Sequence, residues 1–310
     1  MIPGLTPQYS LSPLQRVELP VLQQRIELFI KRDDLIHPQV SGNKWRKLKY
    51  NLLQARQEGV SRLMTFGGGY SNHLHAFAAA CRAAGIEGVA IVRGERPTNL
   101  GSTLQFVDDC GVHLHFVSRE EYRQRNGAEY VQRLQRQFAP CEWIPEGGSN
   151  ALALRGVAEI IPELRQQMVD GFDVIATPIG SGGTLAGLLT ELQPDQRALG
   201  VCVLKGAEYL QQQVEQLAPG MAERWQINHD YHFGGYAKFN DTLLTFMRDF
   251  RYQTGVALEP IYTAKLMYGL VDLVSKNYFP SGCRVVALHT GGMQGLDGMM
   301  QRFPAIRDKI

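Results

Sequence analysis

IATPIGSGGT, from Ile175 to Thr184, reads as a strand that runs into a glycine turn and then opens a helix. The apolar, β-branched run Ile175–Ile179 supplies the strand, and Gly180 to Gly183 the turn. The same order recurs twice. Met64-Thr65-Phe66 leads into Gly67-Gly68-Gly69-Tyr70-Ser71-Asn72-His73, and Val285–His289 leads into Thr290-Gly291-Gly292. One such turn is what any α/β chain needs between its elements. Three of them, two with hydroxyls inside, each place free N–H groups and a positive helix end at a strand's carboxyl edge, where an anion binds.

Around these turns, strands and helices alternate. Strands are expected at Leu63–Phe66, Gly88–Val92, Val112–Val117, Phe172–Ile179, Leu199–Leu204 and Arg284–His289. Helices are expected over Ser71–Ala84, stopped by Gly85, and from a capping box at Ser118 and Glu121 toward Phe138. Further helices are expected over Ala151–Met168 and after Gly183. Such alternation means α/β architecture, with mostly parallel sheets covered by helices. Two β-rich blocks, before and after about residue 150, predict two lobes. Ligands in such folds sit beyond the carboxyl ends of strands.

The 310 residues, 44% hydrophobic and 20% charged, are enough for a sizeable core without disulfides or metals. A net charge of +2 argues against a nucleic-acid groove or a polybasic membrane patch. The five cysteines are scattered and include no C-x-x-C, which points to a reducing compartment and away from a zinc site. MIPGLTPQYSLSPLQR lacks a cationic start followed by an apolar run, and no stretch approaches a membrane span. A cytoplasmic protein is expected, with no membrane partner and no metal.

GSGGT at Gly180–Thr184 lacks the lysine of a P-loop and the spacing of a dinucleotide fold. It offers a cup of N–H groups, with the Ser181 and Thr184 hydroxyls, sized for one phosphate monoester. The other informative segment is SGNKWRKL, Ser41–Leu48. Lys44 falls in the first turn of a helix whose apolar face is Trp45, Leu48 and Leu52. Arg46, Lys47 and the helix end are expected to destabilise its ammonium and favour a nucleophilic amine. Alone, a lysine in a basic helix is ordinarily a solvated face. Together with a monophosphate cup, it is what pyridoxal phosphate requires.

These motifs resemble those of the D-cysteine desulfhydrases and 1-aminocyclopropane-1-carboxylate (ACC) deaminases, pyridoxal-phosphate enzymes of the tryptophan-synthase-β fold type. KRDD at Lys31, SGNKWRKL, SNH at Ser71–His73, PEGGSN at Pro145–Asn150, GSGGT, EPIYTAK at Glu259–Lys265 and HTGG at His289 follow the family's order. The resemblance implies two open, mostly parallel sheets with pyridoxal 5'-phosphate in the cleft between domains. It implies a larger cofactor domain of residues 1–50 and 155–310, a smaller domain of 51–154, and a homodimer. By the same resemblance Lys44 carries the cofactor and Asn72 lies beside its phenolic oxygen. Ser71, Asn72 and His73 receive the substrate carboxylate, and Gly180, Ser181, Gly182, Gly183 and Thr184 hold the phosphate. Thr290 completes the cofactor site, and Tyr236 and Tyr262 match the two active-site tyrosines.

Two departures bear on the substrate. Tyr70 replaces the family's usual glutamine before Ser-Asn, and Gly234–Lys238 differs from its usual Tyr-Gly-x-Pro. The branch is read from Thr263 and Thr290, where ACC deaminases usually carry glutamate and leucine. A threonine leaves the cofactor ring a weaker electron sink, which suffices to expel a thiolate. The expected reaction is β-elimination from D-cysteine, giving pyruvate, sulfide and ammonia. ACC deamination to 2-oxobutyrate and ammonia is the nearest alternative, and a non-catalytic cofactor-binding regulator is one of another class.

Overall fold

The computed structural model describes residues 5–23, 25–303 and 306. The chain begins with β1 (Leu14–Val17) and β2 (Ile26–Lys31). A smaller sheet follows, of β3 (Arg62–Gly67), β4 (Glu87–Arg93), β5 (His113–Val117) and β6 (Glu142–Ile144). Then β7 (Val174–Ile179), β8 (Arg197–Cys202), β9 (Trp225–Asn228) and β10 (Cys283–Leu288) join β1 and β2 in a larger one. The larger sheet runs β1-β2-β10-β7-β8-β9 and is parallel except for β1. The smaller runs β5-β4-β3-β6, all parallel. This is the expected architecture of two mostly parallel sheets covered by helices.

Strands buried on both faces must be apolar throughout, and β7, β8 and β10 are buried along almost their whole length. Helices Asp241–Thr254 and Thr263–Ser275 cover one face of the larger sheet, through Leu244, Phe250, Leu266 and Leu270. Helices Ala151–Ala158, Gly183–Leu189 and Tyr209–Leu217 cover the other. The smaller sheet packs against Asn43–Gln57, Asn72–Ala84 and Ser102–Asp109 on one side, and against Ala128–Gln137 on the other.

Helix Asn72–Ala84 begins at Ser71, whose hydroxyl accepts from Leu74 N–H, and stops at left-handed Gly85, as expected. Two expected helices are interrupted. Ala151–Met168 is two helices that meet at Glu159, where Pro162 has no N–H to give the carbonyl four residues back. Ser118 does cap at Glu121 N–H, but that helix ends at Tyr122 and a new one starts at Ala128, beyond Asn126-Gly127. No helix among the described residues is long and apolar enough to cross a membrane.

Helix Asn43–Gln57 runs through the expected domain division at residues 50 and 51. Its Leu48, Leu52 and Ala55 lie in the core of the smaller sheet. Its other side holds Arg46, buried, whose guanidinium reaches Asp33 Oδ1 at 2.9 Å and Oδ2 at 3.1 Å. Arg46 also forks onto Glu163, 2.5 and 2.9 Å away. Lys31 Nζ closes the set on Glu163 at 2.8 Å, so two buried cations meet two carboxylates. Burial alone would raise the Glu163 carboxyl, but Arg46 and Lys31 hold it below the usual range. The helix also touches Ala151–Ala158 backbone to backbone. A Cβ on Gly156 would lie 1.9 Å from the Arg46 carbonyl oxygen, so only glycine permits the approach.

Replacing Arg46 with methionine strands Asp33 at 0% exposure with only Ser12, among the described residues, to bond its carboxylate. Breaking a buried pair from one side costs about 3–5 kcal/mol. Urea unfolding of Arg46→Met should show that loss. A change below about 1 kcal/mol would mean that the network contributes little.

Candidate active site

The strand order reverses once in each sheet, between β3 and β6 and between β7 and β10. Loops leave opposite ways at such a point and open a crevice beyond the strand ends. Both crevices face one another across a cleft of about 890 Å³. Residues 68–73 follow β3, Gly147 and Ser149 follow β6, Gly180–Thr184 follows β7, and Thr290 follows β10; all of these stretches contribute to the cleft wall.

The residues singled out in the sequence come together. Lys44, Ser71, Asn72, His73, Gly180, Ser181, Gly182, Thr184, Tyr236, Tyr262 and Thr290 all line the cleft. Gly183 is set just behind it: a Cβ there would stand 2.4 Å from Ser149 Oγ and 3.1 Å from Lys47 Nζ.

Lys44 is delivered by its neighbours. Gly42 sits at φ 63°, ψ −146°, and a Cβ on it would lie 1.9 Å from the Thr290 carbonyl oxygen. No other residue could bring the chain so close to the end of β10. Asn43 then donates from Nδ2 to Thr184 Oγ1 at 2.9 Å, tying the helix start to the glycine loop. The Lys44 amine is enclosed by the cleft walls, and burial lowers its pKa to about 8. Arg46, expected to act on it, points instead into its own carboxylates. The neighbouring cation is Lys47.

The sequence suggested Lys47 only as a charge acting on Lys44, not as a partner of the glycine loop. Its Nζ is buried and donates to the Gly147 carbonyl at 3.0 Å and to Ser149 Oγ at 3.2 Å. Ser149 Oγ in turn lies 3.1 Å from Ser181 Oγ. Burial and the nearby Lys44 charge push its pKa well down. A buried cation without a carboxylate is costly. An anion in the glycine loop would relieve that cost, and the spacing of one turn between Lys44 and Lys47 was the available signal.

The helix beginning at Asn72 presents its free first-turn N–H groups to the cleft. The His73 ring cannot serve an anion there. Its Nε2 lies 2.8 Å from Thr65 Oγ1, which donates onward to the Ile144 carbonyl. Nε2 therefore carries the proton, and the buried Nδ1 is a lone pair without a partner. Burial, then Lys44 and Lys47, keep the ring neutral, with its pKa well below the usual value. What His73 offers a carboxylate is its backbone N–H. Asn72 is steadied by Gln294, which donates to its Oδ1 at 3.2 Å.

Across the cleft, the Tyr236 and Tyr262 rings meet edge to face at 6.2 Å. The two hydroxyls interact, and burial first, then the neighbouring Tyr236, holds the Tyr262 pKa well above the phenol range. Tyr262 packs on Gly180, where a Cβ would approach its ring to 3.1 Å. Thr263 is outside the cleft lining. Its hydroxyl accepts from Glu259 N–H at 2.9 Å, and the Glu259 carboxylate is taken up by the N–H groups of Ile261, Tyr262 and Thr263.

A family model described as pyridoxal-phosphate dependent enzyme matches residues 5–291. The chain belongs to that family. Among its relatives, the mitochondrial bifunctional D-cysteine desulfhydrase/1-aminocyclopropane-1-carboxylate deaminase of Arabidopsis thaliana is 32% identical, over 92% of this chain and 77% of that one. The crystal structure of an ACC deaminase homologue superposes with a TM-score of 0.84 at 28% identity, covering 98% of this chain and 96% of the other. Serine racemase of Dictyostelium discoideum, 18% identical with a TM-score of 0.67 over 91% of this chain and 92% of that one, shares the fold.

The residues present fit the cofactor of this pyridoxal-phosphate enzyme. A primary amine stands in the cleft, and the buried Lys47 amine backs a glycine loop whose hydroxyls and N–H groups suit a phosphate monoester. Because a lowered pKa frees the amine at lower pH, cofactor fixation by the apoprotein should rise about tenfold per pH unit below 8 and level off above it. Borohydride trapping at a series of pH values measures this, with the label on Lys44 and none in Lys44→Ala. A rate still climbing steeply between pH 9 and 10 would mean an ordinary lysine.

Proposed function

We propose that this enzyme eliminates the β-substituent of a small amino acid, with D-cysteine and water giving pyruvate, hydrogen sulfide and ammonia. The observation that carries this reading is the set of charges in the cleft. Glu146 is the one carboxylate among its described lining residues, and it is bound to Arg125 and to Tyr122 Oη. Glu259 is saturated by backbone N–H groups, and Thr290 offers a hydroxyl at the end of β10. A cofactor ring without a carboxylate partner is a modest electron sink. That is enough for expelling a thiolate and poor for opening a cyclopropane that has no α-proton.

Pyridoxal phosphate, when bound, draws electrons from the α-carbon of an amino acid joined to it. In this reading, Lys44 carries the cofactor at rest. The loop Gly180–Thr184 holds the phosphate, with Lys47 and Ser149 behind it, and Asn72 and Thr290 contact the ring. The Ser71 hydroxyl and the N–H groups of Asn72 and His73 fix the substrate carboxylate at a positive helix end. Once the substrate's amino group has displaced it, the Lys44 amine, held unprotonated by burial, would take the α-proton. Tyr236, which lines the cleft with its ring against Tyr262, gives its proton to the departing sulfur. The C–S bond breaks, sulfur leaves as hydrogen sulfide, and water replaces the amino nitrogen, which leaves as ammonia.

Specificity constants for D-cysteine, L-cysteine, β-chloro-D-alanine and ACC on one preparation test the reading. D-cysteine should exceed ACC by at least about a hundredfold in kcat/KM, a difference of roughly 2.7 kcal/mol in transition-state binding. ACC as the best of the four would overturn the electronic argument.

A further inference from the structure

Lys265, the last residue of EPIYTAK, is not used by the reaction as described. It is fully buried on helix Thr263–Ser275, and no carboxylate among the described residues pairs with it within salt-bridge distance. Its Nζ lies 2.8 Å from the His232 carbonyl oxygen, 2.8 Å from that of Gly235 and 3.5 Å from that of Val203. Burial lowers its pKa to about 8, opposed by the charge of Glu259. A methionine would fill this space without the cost of burying an ammonium. What the amine adds is its hold on carbonyls.

Those carbonyls belong to the segment that ends in Tyr236. Phe233, Gly234, Gly235 and Ala237 all have positive φ, at 52°, 93°, 116° and 54°. Two of these are not glycine, and such a residue costs about 1 kcal/mol or more in this region. Left alone, the segment would relax to another path. Lys265 also lies three residues after Tyr262, which is the N-cap of the same helix. The start of one helix therefore carries both the ring that packs against Tyr236 and the amine that holds the peptide just before it.

We infer that Lys265 is a positioning residue: it holds the His232–Gly235 backbone so that the Tyr236 hydroxyl stands against Tyr262 and faces the cleft. This rests on the reading of Tyr236 as the proton donor to the leaving group. A thiolate needs that proton; chloride does not. Lys265→Met in the holoenzyme should therefore lower kcat for D-cysteine about as much as Tyr236→Phe does, on the order of a hundredfold. Turnover of β-chloro-D-alanine should stay within about threefold of the parent. The double variant should be no slower than Tyr236→Phe alone, because residues acting through one step are not additive. Equal losses on both substrates, or additive losses, would overturn the inference.

Hydrogen exchange supplies a second readout, free of turnover. Amides of residues 232–238 should exchange at least tenfold faster in Lys265→Met, while helix Asn43–Gln57 is unchanged. Lys265→Gln, which keeps two donors on a shorter arm, serves if the methionine variant does not fold, and it should show the same local release. Unchanged exchange at 232–238 in a folded variant would refute the positioning role. A parent enzyme that turns over neither substrate, with the local release still seen in its Lys265→Met variant, would instead remove the reading of Tyr236 as the acid.

Discussion

The bidentate grip of Arg46 on Asp33 and Glu163 is the constraint on which the active site depends. Lys44 and Lys47 lie on the same helix, and their placement is only as good as that helix's. Apolar packing fixes one side of the helix but is non-directional and tolerates rotation. A planar guanidinium matched to two carboxylates does not. Asp33 follows β2 and Glu163 lies on the helix Ile160–Gln167, so the fork sets the helix against two parts of the larger sheet's framework at once. Ser12, which donates to Asp33 at 2.6 Å, extends the set to the stretch just before β1.

Much of this site was legible in the sequence, because glycine and strand–turn–helix order are local signals. The turns at Gly67, Gly180 and Gly291 need only their own residues to be recognised, and each does lie at the cleft. Lys44 was legible from its company. The place of Lys47 behind the glycine loop, and that of Lys265, were not, since a buried lysine and a surface lysine look alike until the fold shows what surrounds the amine. Arg46 misled for the same reason. It was read as a cation pressing on Lys44, and its charge is spent on carboxylates 13 and 117 residues away in the chain.

Long-range contacts also explain the missed fold details. β1 and β2 lie before the first glycine turn and join the larger sheet only through β10, some 250 residues later. Nothing in the neighbourhood of Ile26–Lys31 announces that partner. The interrupted helices were misread for the opposite reason: Pro162 and Asn126-Gly127 are local signals, outweighed by a continuous apolar rhythm on either side. Thr263 was weighed as a neighbour of the cofactor ring, yet its hydroxyl is turned back to the Glu259 backbone. A residue's distance from a motif in sequence does not say which way its side chain faces.

Helix Asn43–Gln57 gives its apolar side to the smaller sheet's core and its buried arginine to the larger sheet. Neither half keeps a complete core if the other melts, because each loses one side of the same helix. The two sheets are thereby joined into a single cooperative unit, in which partial unfolding of one lobe is not a low-energy state. The same helix carries the lysine of the cofactor site. Free energy from a molecule bound there is therefore shared by both lobes through mass action, so that loading the cleft stabilises strands at either end of the protein that never touch the ligand.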